Sequence, residues 1–273
     1  MRKSSSSSND RSNRSRSKRG RGARNKANQG QNLWLYGLHA VSAALKNPFR
    51  DCYDLLMTPD AATRLAPTLE SLAPEQIPQI QEVGPADVEA VLPNGAVDQG
   101  IALRTGRLTP TFLEDACAPQ TDARNLIMIL DHVTDPQNVG AVLRSAAAFG
   151  ARALIVTQSN APAESGSLAK AASGALDILP YIQVTNLARA LDHLAELGYW
   201  RIGLAAQAES LLGEIDLSGN VALVLGAEGS GLRRLTATKC DKLVRLPTQP
   251  GFPDLNVSNA AAVALYEIAR PKS

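Results

Sequence analysis

The chain has few of the residues that build metal sites and disulfide frameworks. Its 273 residues include only three cysteines and three histidines. Cys52, Cys117 and Cys240 are odd in number and far apart, and the histidines are equally scattered. Neither set has the spacing of zinc ligands, so we expect a reduced, cytoplasmic protein without a metal site.

Long apolar runs are also missing. No run approaches the roughly 20 residues that a membrane-spanning helix needs, and the N-terminus lacks the apolar core of a secretory signal. We therefore expect no membrane partner and no secretion. What the chain does have is 44% hydrophobic residues, enough for one large or two modest domains.

Acidic residues are almost absent from positions 1–32. This segment holds ten lysines and arginines against Asp10 alone, a net charge of +9, which leaves 18 basic and 25 acidic residues, or −7, in the remainder. Eight serines and few apolar residues accompany the charge, so a disordered basic tail is predicted. A polycation suits a polyanion, most simply RNA. A solubilising tail, a tether to anionic membranes and an organelle transit peptide are the alternatives.

Residues 33–105 are predicted to form a small α/β domain. Its predicted strands are 33–36, 53–57, 79–83 and 100–104, and its predicted helices are 37–46, 61–72 and 86–91. Residues 106–124, with two prolines, three threonines and mixed charge, predict a linker.

Residues 125–273 are predicted to form a larger α/β domain. Near-continuous apolar strands that alternate with helices are typical of a parallel sheet covered on both faces. Predicted strands are 126–130, 153–156, 201–205, 222–225 and 243–246, and predicted helices are 139–149, 168–174, 187–197, 231–238 and 256–269. Ligands bind beyond the carboxyl ends of such strands. That rule selects three loops: 131–138, 226–231 and 247–256.

The first of these loops leads into a helix of small and apolar residues. Asn138 is interpreted as its N-cap and Gly150 as its end. Arg144 is the one charged residue in this run, six positions after Asn138. It is either the partner of a surface carboxylate or a functional cation, and the residues alone leave both interpretations open.

The second loop, within Leu225-Gly-Ala-Glu-Gly-Ser-Gly-Leu, contains three glycines. They permit a tight turn and a close approach of the backbone to a ligand. The loop has neither the lysine of a Walker motif nor the spacing of a dinucleotide-binding fingerprint. Glu228 stands among the glycines at a strand end, where it can accept hydrogen bonds from backbone N–H groups or from a substrate.

The third loop ends in Asn256, Ser258 and Asn259, at the mouth of a small-residue helix. Asn and Ser at this place are typical of an N-terminal cap, because their side chains accept hydrogen bonds from the first-turn N–H groups. The same arrangement leaves a polar cluster beside a rigid element, where a ligand can bind.

Together the three loops resemble the motifs of the SpoU (TrmH-like) family of RNA ribose 2′-O-methyltransferases, in the SPOUT superfamily. The segments that carry this resemblance are Asn138 to Arg144, Leu225-Gly-Ala-Glu-Gly and Leu255-Asn-Val-Ser, within about residues 125–270. Four more segments are similar to the subgroup that methylates a guanosine in 23S rRNA: Tyr36-Gly-Leu-His-Ala-Val, Val97-Asp-Gln-Gly-Ile-Ala, Lys170-Ala-Ala-Ser-Gly-Ala and Val184-Thr-Asn-Leu. Asp254 and Asp98 depart from the family pattern, which usually has serine and histidine there.

The resemblance implies a fold and an activity. The fold would be an α/β domain with a C-terminal trefoil knot, preceded by a small ribosomal-protein-L30e-like domain that binds RNA. The activity would be S-adenosylmethionine-dependent methylation of a ribose 2′-hydroxyl in 23S rRNA, by a homodimer with its site at the subunit interface. A tRNA substrate and a catalytically silent ribosome-assembly protein are the alternatives.

The resemblance also implies the site residues. Those matching the family's functional positions are Asn138, Arg144, Glu228 and Asn256. Those expected around the methyl donor are Gly226, Leu246, Leu255, Val257 and Ser258. A guanidinium stays protonated in proteins, so we expect Arg144 to hold a phosphate and stabilise alkoxide charge rather than act as a base. Asn138 and Glu228 would orient Arg144, and Asn256 would fix its loop.

Overall fold

The computed structural model describes residues 32–121, 125–249 and 255–270. The predicted basic tail therefore lies outside the described residues, except for Asn32, and Asp254 lies outside them too. In the described ranges no helix combines the length and the apolar composition needed to cross a membrane.

The first unit of the chain is a four-stranded sheet with three helices. The strand order is β1-β4-β2-β3; β4 is antiparallel to β1 and β2, and β2 is parallel to β3. The elements are β1 (Leu33–Tyr36), α1 (Leu38–Lys46), β2 (Cys52–Met57), α2 (Pro59–Glu70), β3 (Gln79–Glu82), α3 (Pro85–Ala90) and β4 (Ile101–Thr105). Every predicted element is present, with ends displaced by at most two residues.

The segment predicted as a linker contains a short helix, α4 (Leu113–Cys117). Leu113 and Cys117 are buried, and they pack in a cluster that includes Ile182 and Leu191 of the larger unit. Residues four positions apart lie on one face of a helix. This part of 106–124 is therefore packed against the larger unit rather than a free connection.

The second unit is a seven-stranded sheet in which every neighbouring pair of strands is parallel. The elements are β5 (Leu126–Asp131), α5 (Pro136–Ala148), β6 (Ala153–Thr157), α6 (Gly166–Ala172), β7 (Tyr181–Val184), α7 (Leu187–Glu196), β8 (Trp200–Leu204), β9 (Ser210–Leu211), β10 (Val221–Gly226), α8 (Arg234–Lys239), β11 (Lys242–Arg245) and α9 (Val257–Ala269). The predicted parallel sheet is confirmed. The short strands β7 and β9 were not predicted, since neither has an apolar run.

Both faces of the large sheet are covered, which explains its near-continuous apolar strands. Along β5, Met128 packs in the cluster that contains Val142 and Leu143 of α5. Its neighbours Ile127 and Ile129 pack on the opposite face, in the cluster that contains residues of α7. The alternation follows from the two-residue repeat of a strand.

The strand order β7-β6-β5-β10-β8-β11-β9 places β10 between β5 and β8. Gly226 of β10 is in register with Asp131 of β5, and Leu225 with Leu204 of β8. The carboxyl ends of these three strands therefore lie side by side. The loops that follow them share one edge of the sheet.

Candidate active site at the carboxyl edge of the large sheet

Helix α5 begins one turn earlier than the apolar pattern indicates. Its first residue is Pro136 and its N-cap is Asp135, whose carboxylate accepts hydrogen bonds from the backbone N–H groups of Gln137 (3.1 Å) and Asn138 (3.3 Å). The prediction that Asn138 is the N-cap was wrong, because Asp followed by Pro at the first helical position meets the requirements of a helix start. The Asn138 amide lies in the first turn and is available for other contacts.

Polar side chains from all three predicted loops meet at this edge. The Asn138 Nδ2 donates to Glu228 Oε1 at 3.1 Å. The Asn256 Nδ2 donates to the same oxygen at 2.5 Å and to Asn138 Oδ1 at 3.0 Å. The backbone N–H of Val257 adds a third hydrogen bond to Glu228 Oε1, at 3.3 Å. We call Asn138, Glu228 and Asn256 the polar triad.

The predicted helix cap at Asn256 is present. Its Oδ1 accepts hydrogen bonds from the backbone N–H groups of Ser258 (2.9 Å) and Asn259 (3.4 Å) and from the Ser258 hydroxyl (2.5 Å). One end of the amide therefore holds α9 and the other end holds Glu228. Ser258 supports this cap and does not line the cavity described below.

Glu228 is exposed, and only one of its carboxylate oxygens is engaged by the part of the chain that the structure describes. The three donors all reach Oε1. They fix the position of the carboxylate while Oε2 remains able to accept a hydrogen bond from a bound molecule.

A cavity of about 380 Å³ opens beside the triad. This volume lies within the range of small-molecule sites, roughly 300–1,000 Å³. Four of the five residues predicted to contact a cofactor line it, namely Gly226, Leu246, Leu255 and Val257. The wall combines apolar side chains with the backbone of the glycine loop, and this combination suits a ligand with a flat apolar part and polar edges.

At Gly226 the backbone of the cavity wall lies against the backbone of Gly231 and Leu232, at the other end of the same loop. A Cβ at this position would lie 2.0 Å from the carbonyl carbon of Gly231 and 2.3 Å from the backbone nitrogen of Leu232. An antiparallel bridge between Ala227 and Gly231 closes the loop. Because the obstructing atoms are backbone atoms, a side chain at Gly226 would displace the loop itself.

An ion pair between a buried carboxylate and an exposed arginine ties two of the loops together. Asp131 is fully buried, and it accepts hydrogen bonds from the backbone N–H (3.1 Å) and the Nε (2.7 Å) of Arg233. Arg233 follows the glycine loop, so this pair anchors the end of that loop to the end of β5. The two residues stand 102 positions apart, and nothing in their local patterns indicates the pairing.

Arg144 is exposed on α5 and forms no hydrogen bond or ion pair with any residue in the described ranges. It lies six residues after Asn138, about 120° away around the helix. The predicted contacts from Asn138 and Glu228 to Arg144 are not formed, and no carboxylate in the described ranges pairs with Arg144 either. The guanidinium is available to a molecule outside the described part of the chain.

The cysteines are unpaired thiols. Burial raises the pKa of Cys52 to about 11 and the pKa values of Cys117 and Cys240 to about 12, so these groups stay protonated near neutral pH and are poor nucleophiles. Among the described residues, no group of three or more His, Cys, Asp and Glu side chains could hold a metal ion.

Removing the Glu228 carboxylate is expected to loosen the three loops. In Glu228→Ala, three N–H donors lose their acceptor, and a hydrogen bond to a charged group contributes about 1.5–3 kcal/mol, less where water can replace it. We expect a fall of about 1–2 kcal/mol in the free energy of unfolding, measured by urea denaturation. The exposed Glu70, which ends α2, supplies the control Glu70→Ala; equal stability losses in the two variants would contradict a special role for Glu228.

Two family models match most of the chain. Residues 125–266 match the SpoU rRNA Methylase family, and residues 34–111 match the RNA 2′-O ribose methyltransferase substrate binding family. The two matches correspond to the second and first units of the structure.

Curated relatives match across both units. The 23S rRNA (guanosine-2′-O-)-methyltransferase RlmB of Xanthomonas campestris pv. campestris is 37% identical over 245 residues, which cover 89% of this chain and 98% of that protein. The protein of the same name from Ralstonia nicotianae is 38% identical over 241 residues, covering 88% and 96%.

Solved structures share the fold. The SpoU methyltransferase AviRb from Streptomyces viridochromogenes, in complex with AdoMet, superposes with a TM-score of 0.73 at 22% identity, covering 90% of this chain and 92% of that one. Another solved structure, of an RNA 2′-O ribose methyltransferase, superposes with a TM-score of 0.71 at 24% identity, covering 89% of this chain and 90% of that one. From the family match over residues 125–266 and the relatives that span both units, this chain belongs to the SpoU rRNA methylase family.

Proposed function

We propose that this chain transfers a methyl group from S-adenosylmethionine to the ribose 2′-hydroxyl of a guanosine in 23S rRNA. The observation that carries the proposal is the polar triad beside a glycine-walled cavity, in a chain that is 37% identical over 245 residues to an RlmB methyltransferase. Membership of the family supports the reaction type, and the full-length relatives support the choice of 23S rRNA.

The cavity fits the proposed methyl donor. Leu246 and Leu255 offer apolar surface, and the loop that begins at Gly226 brings backbone groups to the cavity wall. S-adenosylmethionine supplies a methyl group on a sulfonium, which is itself an electrophile. The residues of the chain then have to bind the donor, align the ribose oxygen and stabilise its charge.

We assign these tasks to the polar triad and to Arg144. Glu228 Oε2 accepts a hydrogen bond from the RNA, while Asn138 and Asn256 hold the carboxylate in place. Arg144 binds the phosphate beside the target ribose and stabilises the negative charge on the 2′-oxygen as its proton passes to solvent water. Alignment of a nucleophile with a bound electrophile alone lowers a barrier by several kcal/mol.

We further propose that the active form is a homodimer in which Arg144 serves the site of a second copy. Arg144 is exposed and forms no hydrogen bond with the triad of its own chain, and α9 exposes Val263 and Tyr266. The Tyr266 ring packs edge-on against Phe149, with ring centroids 6.3 Å apart. An apolar face next to a capped, ligand-facing helix start suits a partner subunit.

A trefoil knot is proposed for the C-terminal part of the fold. Strand β11 pairs with β8, whereas α9 packs against α5 on the far side of β10. Leu246 and Leu255 both line the cavity beside the glycine loop, and the backbone N–H of Val257 donates to Glu228 of that loop. Residues 125–273 are proposed as the methyltransferase domain, 33–105 as an L30e-like RNA-binding domain, 106–124 as their connection and 1–32 as a basic tail.

The direct test is methylation in vitro. The purified chain is incubated with S-adenosylmethionine labelled in its methyl group and with naked 23S rRNA, 16S rRNA or tRNA. We expect label in 23S rRNA and 2′-O-methylguanosine after digestion. Labelled tRNA would replace the proposed substrate, and S-adenosylmethionine binding without transfer to any of these RNAs would favour an assembling ribosomal subunit. A chain that binds RNA but not S-adenosylmethionine would overturn the proposal.

The basic tail is proposed to add affinity for RNA without sequence choice, because phosphate contacts carry little sequence information. Deleting residues 1–32 removes ten lysines and arginines. Each contact that neutralises a phosphate on single-stranded RNA contributes about −0.7 to the slope of log K against log salt, so the slope should become shallower by several units. A full-length control with the ten residues changed to Gln separates charge from length. An unchanged slope would remove the tail from the RNA interface.

A further inference from the structure

A buried arginine joins the two units of the chain. The Arg50 side chain is 0% exposed, its Nε donates to Asp177 Oδ1 at 2.5 Å, and its Nη2 lies 2.8 Å from Glu164 Oε1. Its Nη1 donates to Thr105 Oγ1 at 3.2 Å and to the carbonyl oxygen of Gly106 at 3.1 Å. Arg50 and Thr105 belong to the first unit, whereas Glu164 and Asp177 belong to the second.

The carboxylates of Asp177 and Glu164 also accept hydrogen bonds from residues that precede the second unit in the chain. Asn47 Nδ2 donates to Asp177 Oδ1 at 3.1 Å, and the backbone N–H of Leu108 donates to Glu164 Oε2 at 3.0 Å. The side chains of Asp177 and Glu164 are 1% and 12% exposed. A buried charge without its partner is costly, so docking of the units and pairing of Arg50 stabilise each other.

Two segments that the active site does not use meet at this interface: the start of the first unit, with Trp34 and His39, and the part of the second unit that holds Gly166 and Gly174. A Cβ on Gly166 would lie 2.4 Å from the carbonyl oxygen of Trp34, and a Cβ on Gly174 would lie 2.9 Å from the carbonyl oxygen of His39. The backbones of the two units are therefore in direct contact where glycine stands. Close packing of this kind leaves little freedom for relative motion.

The interface connects to the active site through packed helices. Gly166 opens α6, and α6 packs against α5 so closely that a Cβ on Gly140 would lie 2.4 Å from the Cβ of Ala171. Helix α5 carries Asn138 and Arg144. The position of the first unit is thereby tied to the helix that bears two of the proposed site residues.

We propose that Arg50 is a positioning residue for the RNA substrate. It locks the first unit against the methyltransferase unit at one fixed placement, so that an RNA bound by both units presents one ribose to the cavity. This proposal rests on the proposed function, since it takes the first unit to bind RNA. It predicts that loss of Arg50 affects RNAs that contact both units and spares the methyl donor.

The kinetic test compares Arg50→Met with Arg189→Met in the full chain. Arg189 is exposed on α7, which packs on the other face of the large sheet from α5. For a 23S rRNA fragment long enough to reach both units, we expect Arg50→Met to raise KM about tenfold or more. The reason is that a first unit that moves freely has a lower effective concentration for its RNA contact than a docked one. The turnover number and S-adenosylmethionine affinity should stay within about twofold, and a short hairpin carrying only the target should show no KM change.

Conservative replacement separates positioning from folding. Arg50→Lys keeps the charge but loses the planar fork that reaches both carboxylates, so its KM should fall between those of the wild type and Arg50→Met. An unchanged KM in Arg50→Met, or an equal rise for the short hairpin, would overturn the proposal.

Scattering in solution tests the docking without RNA. Gly174→Ala introduces a Cβ into the interface at a position with φ +92°, and Gly150→Ala is its control, with φ +75° and nothing within 4 Å of the added atom. We expect a larger radius of gyration for Arg50→Met and Gly174→Ala than for the wild type and Gly150→Ala, with S-adenosylmethionine binding retained. If the wild type methylates no RNA, the proposed function fails while scattering still decides the docking. If the units open and KM for the long RNA stays unchanged, only the positioning role fails.

Discussion

Gly226→Ala is expected to weaken S-adenosylmethionine binding by about 100-fold or more, which corresponds to ~3 kcal/mol, the upper end of ordinary overpacking costs. The added Cβ would lie 2.0 Å from the carbonyl carbon of Gly231, so the loop that forms the cavity wall has to move. Isothermal titration calorimetry measures the affinity directly.

Gly229→Ala is the matched control for this substitution. Gly229 stands in the same loop, with φ +76° and no atom within 4 Å of an added Cβ. Replacing Gly229 by alanine creates no steric clash. It only places an alanine in the left-handed backbone conformation, which costs about 1–2 kcal/mol. Equal effects from the two substitutions would assign the loss to general loop strain, and binding by Gly226→Ala within threefold of the wild type would contradict the proposed donor site.

Arg144→Ala is expected to lower the turnover number by about 10²–10³, the usual result of deleting a group that stabilises charge in a transition state. Arg144 neither lines the cavity nor bonds to the polar triad. S-adenosylmethionine affinity should therefore be unchanged, and the loss should appear in single-turnover methylation at saturating donor and RNA.

Two further variants sharpen the Arg144 prediction. Arg144→Lys keeps a positive charge but loses bidentate geometry, so its rate should fall between those of the wild type and Arg144→Ala. Near-normal turnover in Arg144→Lys would show that the fork is not used. Arg189→Ala removes an exposed arginine from α7, which packs on the other face of the sheet from α5, and this control should leave the rate unchanged.

The proposed homodimer allows a complementation test that combines the Gly226→Ala and Arg144→Ala variants. If Arg144 serves the site of a second copy, mixing Arg144→Ala with Gly226→Ala chains, at a donor concentration too low to fill the Gly226→Ala site, should restore part of the activity, because a mixed dimer holds one intact site. Activity that stays absent after subunit exchange would place Arg144 in the site of its own chain.

Local features of the active site followed from the sequence. The Asn256 cap, the glycine loop after β10 and the apolar strands of a two-faced sheet depend on residues a few positions apart. Helix capping and strand alternation act over this range, so they can be recognised without knowing the fold. Helix α5 starts one turn before the apolar pattern predicts, because its cap Asp135 and its first residue Pro136 precede that pattern.

Long-range contacts were decided by the tertiary structure. Asp131 and Arg233 are separated by 102 positions and Arg50 and Asp177 by 127. Each residue has an ordinary local context, and a charged side chain is most often a solvated surface residue. Only the packing of the elements removes water from Asp131, Arg50 and Asp177 and makes a partner necessary for each of them.

The sequence by itself determined that this protein has a parallel α/β domain, preceded by a smaller one, with polar loops at the carboxyl ends of its strands. The tertiary structure decided that β10 lies between β5 and β8, and hence that Asn138, Glu228 and Asn256 meet. It also decided that Arg144 is exposed and forms no hydrogen bond with them. The reason is physical: periodicity and capping arise from neighbouring residues, whereas strand order arises from the burial of whole faces against distant segments.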